Sequence, residues 1–323
     1  MQENARSQGR EREKEVSVVI PLYNEERNVE ALLAELNEVL QKSFKEWEVL
    51  AVDDGSHDTS FELLVHAQKK YPELRIVKFK RNYGQTAAMN AGFKLSRGKV
   101  VVAMDADLQN DPADIPKLVK EIARFDVVSG WRFNRKDSAF KRLWSRISNG
   151  LAARLTGVDI HDFGCTLKAY KLETVKDLQL FGQMHRYLPA LLAAQGYSVG
   201  EMKVNHRERA NGMSKYNWKR LFNGVLDLVF IKFWTDYSKR PLHFFGGIGI
   251  AFLLASLLIA VYKVVIQLMV RHIPLEAGPL LLLSIMLFIT GVLLLMFGFL
   301  SEIQVRMYYA LKNRENYEIE KIY

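Results

Sequence analysis

Two long apolar stretches near the C-terminus constrain the fold of this chain more than any other feature. Leu242–Tyr262 has no charged residue unless His243 is protonated, and Gly278–Leu300 has none. A helix needs roughly 20 apolar residues to cross the hydrocarbon core of a bilayer, and both stretches meet that length. We therefore expect residues 242–305 to form two transmembrane helices, since buried helices of a soluble domain are a poor alternative.

Basic residues flank this pair of stretches. Lys239 and Arg240 precede the first stretch and Arg306 follows the second, whereas the short link between the stretches is less basic. Because Lys and Arg accumulate in the cytoplasmic flanks of membrane spans, both outer ends are expected in the cytoplasm. Residues 306–323 are then a cytoplasmic C-terminal tail.

The N-terminus supports the same orientation. Residues 1–15 are polar and densely charged, and they lack the apolar centre of a secretory signal peptide. We expect a disordered tail there, followed by a domain that stays in the cytoplasm. The sequence therefore predicts a multi-pass protein of the cell membrane.

The net charge of +9 predicts an anionic partner, namely a nucleic acid, an acidic membrane surface or a phosphate ligand. A nucleic-acid binder would not explain two membrane spans, and no combination of basic and aromatic residues typical of nucleic-acid recognition occurs. We therefore expect a lipid bilayer and phosphate ligands as partners, and no nucleic acid.

Before the apolar stretches, β-branched apolar runs alternate with helical patterns. Runs such as Lys99–Met104 are apolar on both faces, which is typical of a parallel sheet covered by helices on both sides. The predicted strands are Val16–Ile20, Glu48–Val52, Arg75–Phe79, Lys99–Met104, Asp126–Ser129 and Tyr197–Asn205. The predicted helices are Glu25–Lys42, Thr59–Lys70, Gln85–Leu95, Pro112–Ala123, Phe140–Leu155 and Gln183–Gln195. The sequence therefore predicts an α/β fold.

The segment between this region and the spans has a different pattern. Asn217–Tyr237 mixes aromatic residues with lysine and arginine, next to a membrane span. This pattern favours an amphipathic juxtamembrane segment, residues 217–241, whose helices lie in the membrane interface. An ordinary core-packing helix is the alternative.

Polar clusters follow the predicted strands, and the acidic one after the fourth strand carries the strongest signal. Asp105 and Asp107 stand one residue apart where an apolar run ends. Hard cations such as Mg²⁺ take carboxylate and phosphate oxygens as ligands, so this pair predicts a metal site that neutralises a pyrophosphate leaving group. Asp111, before Pro112, is instead predicted to cap a helix.

Two more clusters follow the first two strands. The Asp53–Asp54 pair, followed by a glycine, can accept hydrogen bonds from a base or a ribose, but it can equally cap a turn. Pro21 is expected to end the pairing of the first strand, and Asn24 is expected to cap the next helix.

The order of the clusters resembles one family. The patterns P-x-Y-N-E, D-D-G-S, R-N-x-G and D-A-D-L-Q-x-D-P begin at Pro21, Asp53, Arg81 and Asp105. Together they resemble the family 2 glycosyltransferases with a GT-A fold, and within them the polyisoprenyl-phosphate glycosyltransferases. This group includes dolichyl-phosphate mannose synthase and bacterial lipid-phosphate glucosyl and aminoarabinose transferases. The resemblance covers residues 16–216 and implies a Rossmann-like GT-A catalytic domain with a mixed, mostly parallel sheet and helices on both faces.

The resemblance also implies a donor site. Asp105 and Asp107 would hold the diphosphate through Mg²⁺ or Mn²⁺, with Asp107 as the more direct ligand, and Gln109 would lie beside the donor phosphates. The residues implied to hold the nucleoside are Pro21, Tyr23, Glu25, Asp53 and Asp54.

Basic residues on the acceptor side complete the implied site. Guanidinium groups bind phosphate in a bidentate manner and Lys binds it as a point charge, although a basic surface that only touches anionic lipid is the alternative. The residues implied to bind the acceptor phosphate are Arg132, Arg142, Arg207 and Lys215. Asp162 would act as a base, orient the acceptor or only cap a loop. Nearby Cys165 is the single cysteine and is expected to be packed as a small buried side chain.

The implied reaction is an inverting transfer of glucose or a related hexose from a UDP-sugar to a polyisoprenyl phosphate. The catalytic residues would be Asp105, Asp107, Arg132 and Asp162. A phosphate monoester has a second pKa of about 6 and is largely a dianion at cytoplasmic pH, so it needs little help from a base. The alternatives are a dolichyl-phosphate mannose synthase using GDP-mannose, a polysaccharide synthase and a non-catalytic membrane adaptor. A homo-oligomer is left open.

Overall fold

The structure is a computed structural model of the whole chain. It describes residues 14–133, 149–150, 152–154, 156–180, 182–207, 232–233, 236–237, 240–270 and 278–311. Most of the predicted N-terminal tail and of the interfacial segment 217–241, together with much of the predicted helix Phe140–Leu155, lie outside these residues. The chain divides into two compact units, Met1–Ile231 and Lys232–Tyr323.

One mixed sheet forms the centre of the first unit. Its strands in the described residues are β1 (Lys14–Leu22), β2 (Trp47–Asp53), β3 (Leu74–Lys78), β4 (Gly98–Ala103), β5 (Val127–Arg132), β6 (Lys168–Lys171) and β7 (Val199–Val204). Their order across the sheet is β3-β2-β1-β4-β6-β5-β7. Of these strands, only β6 runs antiparallel to its neighbours. The predicted mixed, mostly parallel sheet is confirmed.

Helices cover both faces of this sheet, as predicted. They are α1 (Val29–Ser43), α2 (Ser60–Gln68), α3 (Gln85–Leu95), α4 (Ile115–Glu121), α5 (Leu172–Val175) and α6 (Leu188–Ala193). One apolar core joins the sheet to α1, α2 and α4, for example through Leu36 and Leu118. A second core joins it to α3 and α6, for example through Phe93 and Leu188.

The order of the strands fixes where polar side chains gather. β1 pairs in parallel with β2 on one side and with β4 on the other. The chain therefore changes direction across the sheet between β1 and β4, and ligands of such sheets bind beyond the carboxyl ends of the strands at this point. The loops after β1, β2 and β4 meet at this edge.

The strand β6 was not predicted. It is only four residues long, and its two end residues, Lys168 and Lys171, are charged rather than apolar. Lys168 is nevertheless 1 % exposed, because its aliphatic stem and ammonium group are enclosed by the protein. A tertiary contact thus overrides the polarity of the local sequence.

One expectation for the end of β1 was wrong, and a second holds on one side of the strand only. Asn24 does not cap a helix, because α1 begins only at Val29 and Asn24 has a φ of 55°. Pro21 ends the pairing with β4 after Val19, but the pairing with β2 continues to Leu22. Proline lacks only its own N–H, so a strand edge that needs no donor at that residue can continue.

The second unit contains two long apolar helices. They are α7 (Pro241–Val264), which continues as a π-helical turn over Val265–Val270, and α8 (Pro279–Leu311). The stretches Pro241–Gln267 and Pro279–Val305 are long and apolar enough to cross a membrane. The two helices pack closely at Gly249 and Gly291, where a Cβ on Gly249 would lie 2.8 Å from the Gly291 carbonyl oxygen. This confirms two helices that could span a membrane.

Candidate active site

The loops that follow β1 and β2 are tied together by hydrogen bonds. Backbone amides of the first loop donate to side chains of the second: Asn24 N to Ser56 Oγ (3.0 Å), Glu25 N to Ser60 Oγ (2.8 Å) and Glu26 N to Asp58 Oδ2 (3.2 Å). Bonds in the opposite direction run from His57 N to Asn24 Oδ1 (2.9 Å) and from Thr59 Oγ1 to Glu26 Oε2 (2.8 Å). These bonds fix the backbone that carries the predicted nucleoside residues.

Three of those residues lie at the end of β1. Pro21 is buried in the strand, whereas the ring of Tyr23 is exposed and meets the His57 ring edge-on, with 6.3 Å between the centroids. The Glu25 carboxylate accepts a hydrogen bond of 2.5 Å from Asn28 Nδ2. Tyr23 is therefore the residue of this group with an open face for a ligand.

Asp53 and Asp54 have different surroundings. Asp53 is completely buried, its Oδ1 accepts from Ser56 N at 3.1 Å, and its Oδ2 has no hydrogen-bond partner among the described residues. Asp54 accepts from Tyr83 N at 2.7 Å and from Gly84 N at 2.8 Å. Asp54 thus organises the loop after β3, and Asp53 keeps one unsatisfied acceptor.

Gly55 follows this pair and permits a close approach of two segments of the chain. Gly55 has a φ of +70°, and a Cβ there would lie 2.5 Å from the Arg81 carbonyl carbon. We expect Gly55→Ala to destabilise the protein by more than the roughly 1–3 kcal/mol of backbone strain at positive φ, because the loop after β3 must also move. Thermal unfolding measures this loss.

Gly196 is the matched control for this substitution. Its φ is +98°, but a Cβ there would meet nothing within 4 Å. Gly196→Ala should therefore lower the melting temperature less than Gly55→Ala and leave nucleotide binding unchanged. Equal effects of the two variants on both measurements would show that the contact with Arg81 is unimportant.

The acidic pair after β4 lies against side chains from two other elements. Asp105 Oδ1 accepts from Gln85 Nε2 and Oδ2 accepts from Thr166 Oγ1, both at 2.7 Å. Burial and the negative charge of Asp107 raise the pKa of the Asp105 carboxyl, while Thr166, Arg132 and Lys168 oppose the shift. A further positive charge, in addition to Arg132 and Lys168, would stabilise both carboxylates of this pair.

Asp107 lies in a strained turn. It is 9 % exposed, and its Oδ1 accepts from Gln109 N at 3.2 Å. The next residue, Leu108, has a φ of 61°, which is rare for a residue with a branched side chain and marks functional turns. The turn therefore places Asp107 by backbone geometry as well as by packing.

These carboxylates suit a divalent cation that shares its coordination with a ligand. In the part of the chain that the structure describes, no group of three or more His, Cys, Asp or Glu side chains is arranged to hold a metal ion. Mg²⁺ is commonly held by one or two carboxylates together with phosphate oxygens. The crowded negative charge of Asp105 and Asp107 fits that mode.

Arg132 and Asp162 form a bidentate ion pair beside the acidic residues. Arg132 Nε and Nη2 donate to the two Asp162 oxygens at 2.7 and 2.9 Å, and the side chains are 15 % and 4 % exposed. Burial lowers the pKa of Arg132, but the hydrogen bonds and charge of Asp162 outweigh it and raise the pKa overall. Arg132 therefore remains charged and fixed in orientation.

Arg207 has two acidic partners. Its Nη1 lies 2.6 Å from Glu35 Oε2 and its Nη2 lies 2.9 Å from Asp111 Oδ1. Its backbone N donates to Gln109 O at 2.8 Å, and Asp111 Oδ1 also caps Ala113 N at 3.1 Å, as predicted. Arg207 thus ties the loop after β4 to α1, so a role in phosphate binding stays a prediction. The predicted acceptor residues Arg142 and Lys215 lie outside the described residues.

Sequence reasoning did not assign three residues of this site. Gln85 and Thr166 bond to Asp105, and buried Lys168 lies close enough to influence its charge. Nothing in the sequence pairs any of the three with Asp105. The prediction for Cys165 is confirmed, since it is fully buried, and burial raises its pKa to about 11.

Comparisons with known proteins show which proteins this chain is similar to. Residues 17–179 match the model of "Glycosyl transferase family 2". The dodecaprenyl-phosphate galacturonate synthase of Rhizobium johnstonii is 39 % identical, over 96 % of this chain and 93 % of that protein. The undecaprenyl-phosphate 4-deoxy-4-formamido-L-arabinose transferase of Pseudomonas paraeruginosa is 38 % identical, over 95 % of this chain and 90 % of that protein.

Solved structures share the fold. Glucosyl-3-phosphoglycerate synthase of Mycobacterium tuberculosis, in a complex with Mn²⁺, UDP and glucosyl-3-phosphoglycerate, superposes with a TM-score of 0.53 at 17 % sequence identity. The match covers 69 % of this chain and 80 % of that chain. At this identity the likeness supports the fold alone.

Proposed function

Since the chain belongs to glycosyl transferase family 2, we propose that it transfers a sugar from a nucleotide-sugar to the phosphate of a polyprenyl lipid. The arrangement of Asp105, Asp107 and Arg132 carries this proposal, because it brings an acidic pair and a fixed guanidinium to one edge of the sheet. An anionic donor and an anionic acceptor need both kinds of charge there.

On the donor side, Asp107 would hold Mg²⁺ or Mn²⁺ with Asp105 beside it. When bound, the ion neutralises the charge that develops on the departing diphosphate. Gln85 and Thr166 keep the Asp105 carboxylate in place through its two oxygens. Gln109 follows this turn, which supports its predicted place beside the donor phosphates.

The nucleoside would lie over the fixed loops of β1 and β2. The exposed Tyr23 ring offers a stacking face. Asp53 Oδ2 is buried and has no hydrogen-bond partner among the described residues, so it would accept a base N–H only where the bound nucleoside reaches it. Uracil provides one N–H between two carbonyls, which fits such an acceptor, and we propose UDP as the donor nucleotide. A structural neighbour with the same fold binds UDP.

Arg132 would hold the acceptor phosphate. Its two bonds to Asp162 use Nε and Nη2, and within the described residues Nη1 makes no hydrogen bond. Asp162 is engaged by this ion pair, so orientation of Arg132 is a better role for it than proton abstraction. The acceptor phosphate is already ionised at neutral pH and attacks the anomeric carbon directly.

The sugar itself is proposed from the relatives. They act on galacturonate and on 4-deoxy-4-formamido-L-arabinose, which favours a uronic acid or a formamido-pentose over the glucose expected from the sequence. A dolichyl-phosphate mannose synthase using GDP-mannose and a polysaccharide synthase remain the alternatives. A further proposal is that 242–305 crosses the cell membrane with the catalytic domain in the cytoplasm.

A panel of labelled nucleotide-sugars tests this function. Purified protein in polyprenyl-phosphate vesicles is incubated with UDP-galacturonate, UDP-4-deoxy-4-formamido-arabinose, UDP-glucose and GDP-mannose in separate reactions. We expect one of the first two to give a chloroform-soluble lipid that carries a single sugar. A long water-soluble polymer would support the polysaccharide synthase, and turnover of GDP-mannose alone would support the mannose synthase.

A further inference from the structure

Lys168 is a buried cation to which the reaction described above assigns no role. It lies in β6 and is 1 % exposed. Its ammonium group donates to two backbone carbonyls rather than to a carboxylate, namely Phe163 O at 3.1 Å and Cys165 O. Burial lowers the pKa of Lys168, because it disfavours the charged form, and an apolar side chain would avoid this cost.

The two carbonyls belong to a short loop that serves the active site at both of its ends. Asp162 precedes Phe163 and makes the bidentate pair with Arg132. Thr166 follows Cys165 and donates to Asp105. The Lys168 ammonium group therefore bonds to the residue after Asp162 and to the residue before Thr166.

Packing also holds the centre of this loop, since Phe163 and Cys165 are buried and the Phe163 ring centroid lies 6.0 Å from that of Tyr187. The other polar contacts of the loop are weaker anchors there. Glu201 Oε1 accepts from His161 N at 2.7 Å and from Asp162 N at 3.2 Å, which fixes only the start of the loop. Cys165 contributes a long bond of 3.8 Å from its Sγ to Leu167 O. Lys168 is thus the charged group that reaches the segment between Asp162 and Thr166.

We propose that Lys168 is a positioning residue that holds the loop 162–166 so that Asp162 meets Arg132 and Thr166 meets Asp105. This inference rests on the proposed function where activity is the readout. Lys168 acts through these neighbours, and it is assigned no contact with donor or acceptor.

The first test compares Lys168→Met with Lys171→Met. Lys171 lies on the same strand, but its ammonium pairs with Asp126 Oδ1 at 2.6 Å and is partly exposed. At a temperature where circular dichroism shows both variants folded, Lys168→Met should lower kcat by about 100-fold, as expected for catalytic groups displaced by about 1 Å. Lys171→Met should stay within about threefold of the wild type, as surface changes usually do.

Thr166→Val separates positioning from a general loss of stability. If Lys168 acts through Thr166 and its neighbours, the losses in kcat of Lys168→Met and Thr166→Val should not multiply in the double variant. Multiplying losses, or a Lys168→Met variant with kcat within about threefold of the wild type, would overturn the assignment.

Hydrogen exchange gives a readout that does not need activity. Exchange of the backbone amides over residues 162–166 should be at least about tenfold faster in Lys168→Met than in Lys171→Met, since the loop loses its central anchor. Unchanged exchange would refute the anchoring role. A wild-type protein without transferase activity would refute the proposed function instead, and the exchange experiment would still decide on Lys168.

Discussion

Replacing Asp107 with asparagine should abolish sugar transfer while the protein still folds and enters membranes. If Asp107 holds the metal as proposed, loss of its carboxylate should lower kcat by about 10³-fold or more, which corresponds to about 4 kcal/mol of transition-state stabilisation. Asparagine preserves the shape of the side chain and can still accept the hydrogen bond from Gln109 N. The turnover of labelled donor at saturating polyprenyl phosphate measures the effect.

Asp177→Asn is the control for this variant. Asp177 is exposed and lies in the turn after α5, so the same loss of one negative charge should leave turnover unchanged. Raising the Mg²⁺ or Mn²⁺ concentration should restore part of the activity of Asp107→Asn if the carboxylate binds the ion. Near-normal turnover of Asp107→Asn at low metal concentration would refute the metal assignment.

Replacing Arg132 with alanine should cause the second large effect, on both stability and activity. The substitution leaves the Asp162 carboxylate 4 % exposed and without its bidentate partner. Breaking a buried ion pair on one side costs about 3–5 kcal/mol, so the melting temperature should fall clearly. Binding of the polyprenyl phosphate should also weaken, because the guanidinium proposed to hold the acceptor phosphate is lost.

A double substitution separates the two effects. In Arg132→Ala with Asp162→Ala the buried carboxylate that has lost its bidentate partner is also removed, so part of the lost stability should return, whereas transfer should not. Arg124→Ala is the control, since the Arg124–Glu121 pair is exposed and worth at most about 1 kcal/mol. Recovery of transfer in the double variant would show that Arg132 has only a structural role.

Much of the fold of the first unit could be predicted, because the sequence features that indicate its strands and helices are local. Continuous β-branched runs such as Lys99–Met104 predicted the central strands. The acidic residues directly after these strands predicted the edge of the sheet at which the proposed site lies. Gln85–Leu95 has the bounds that were predicted for it, since a glycine precedes it and an extended serine follows it. Such features depend on neighbours along the chain.

The partners of these residues could not be predicted, since they come from distant parts of the sequence. Thr166 is 61 positions from Asp105, and Asp162 is 30 positions from Arg132. The antiparallel strand β6 brings these segments together. It was not predicted, because it is short and has a lysine at each end. Arg207 was predicted as a phosphate ligand from its charge and from the family resemblance, and its carboxylate partners Glu35 and Asp111 become visible only in the fold.

Paired acceptors test most directly whether a lipid phosphate is the nucleophile. The protein is given one labelled nucleotide-sugar together with either polyprenyl phosphate or the polyprenyl alcohol of the same chain length. We expect a sugar-lipid product only from the phosphate, with the anomeric configuration of the donor inverted. Equal transfer to the alcohol, or a product with retained configuration, would contradict direct attack by a phosphate.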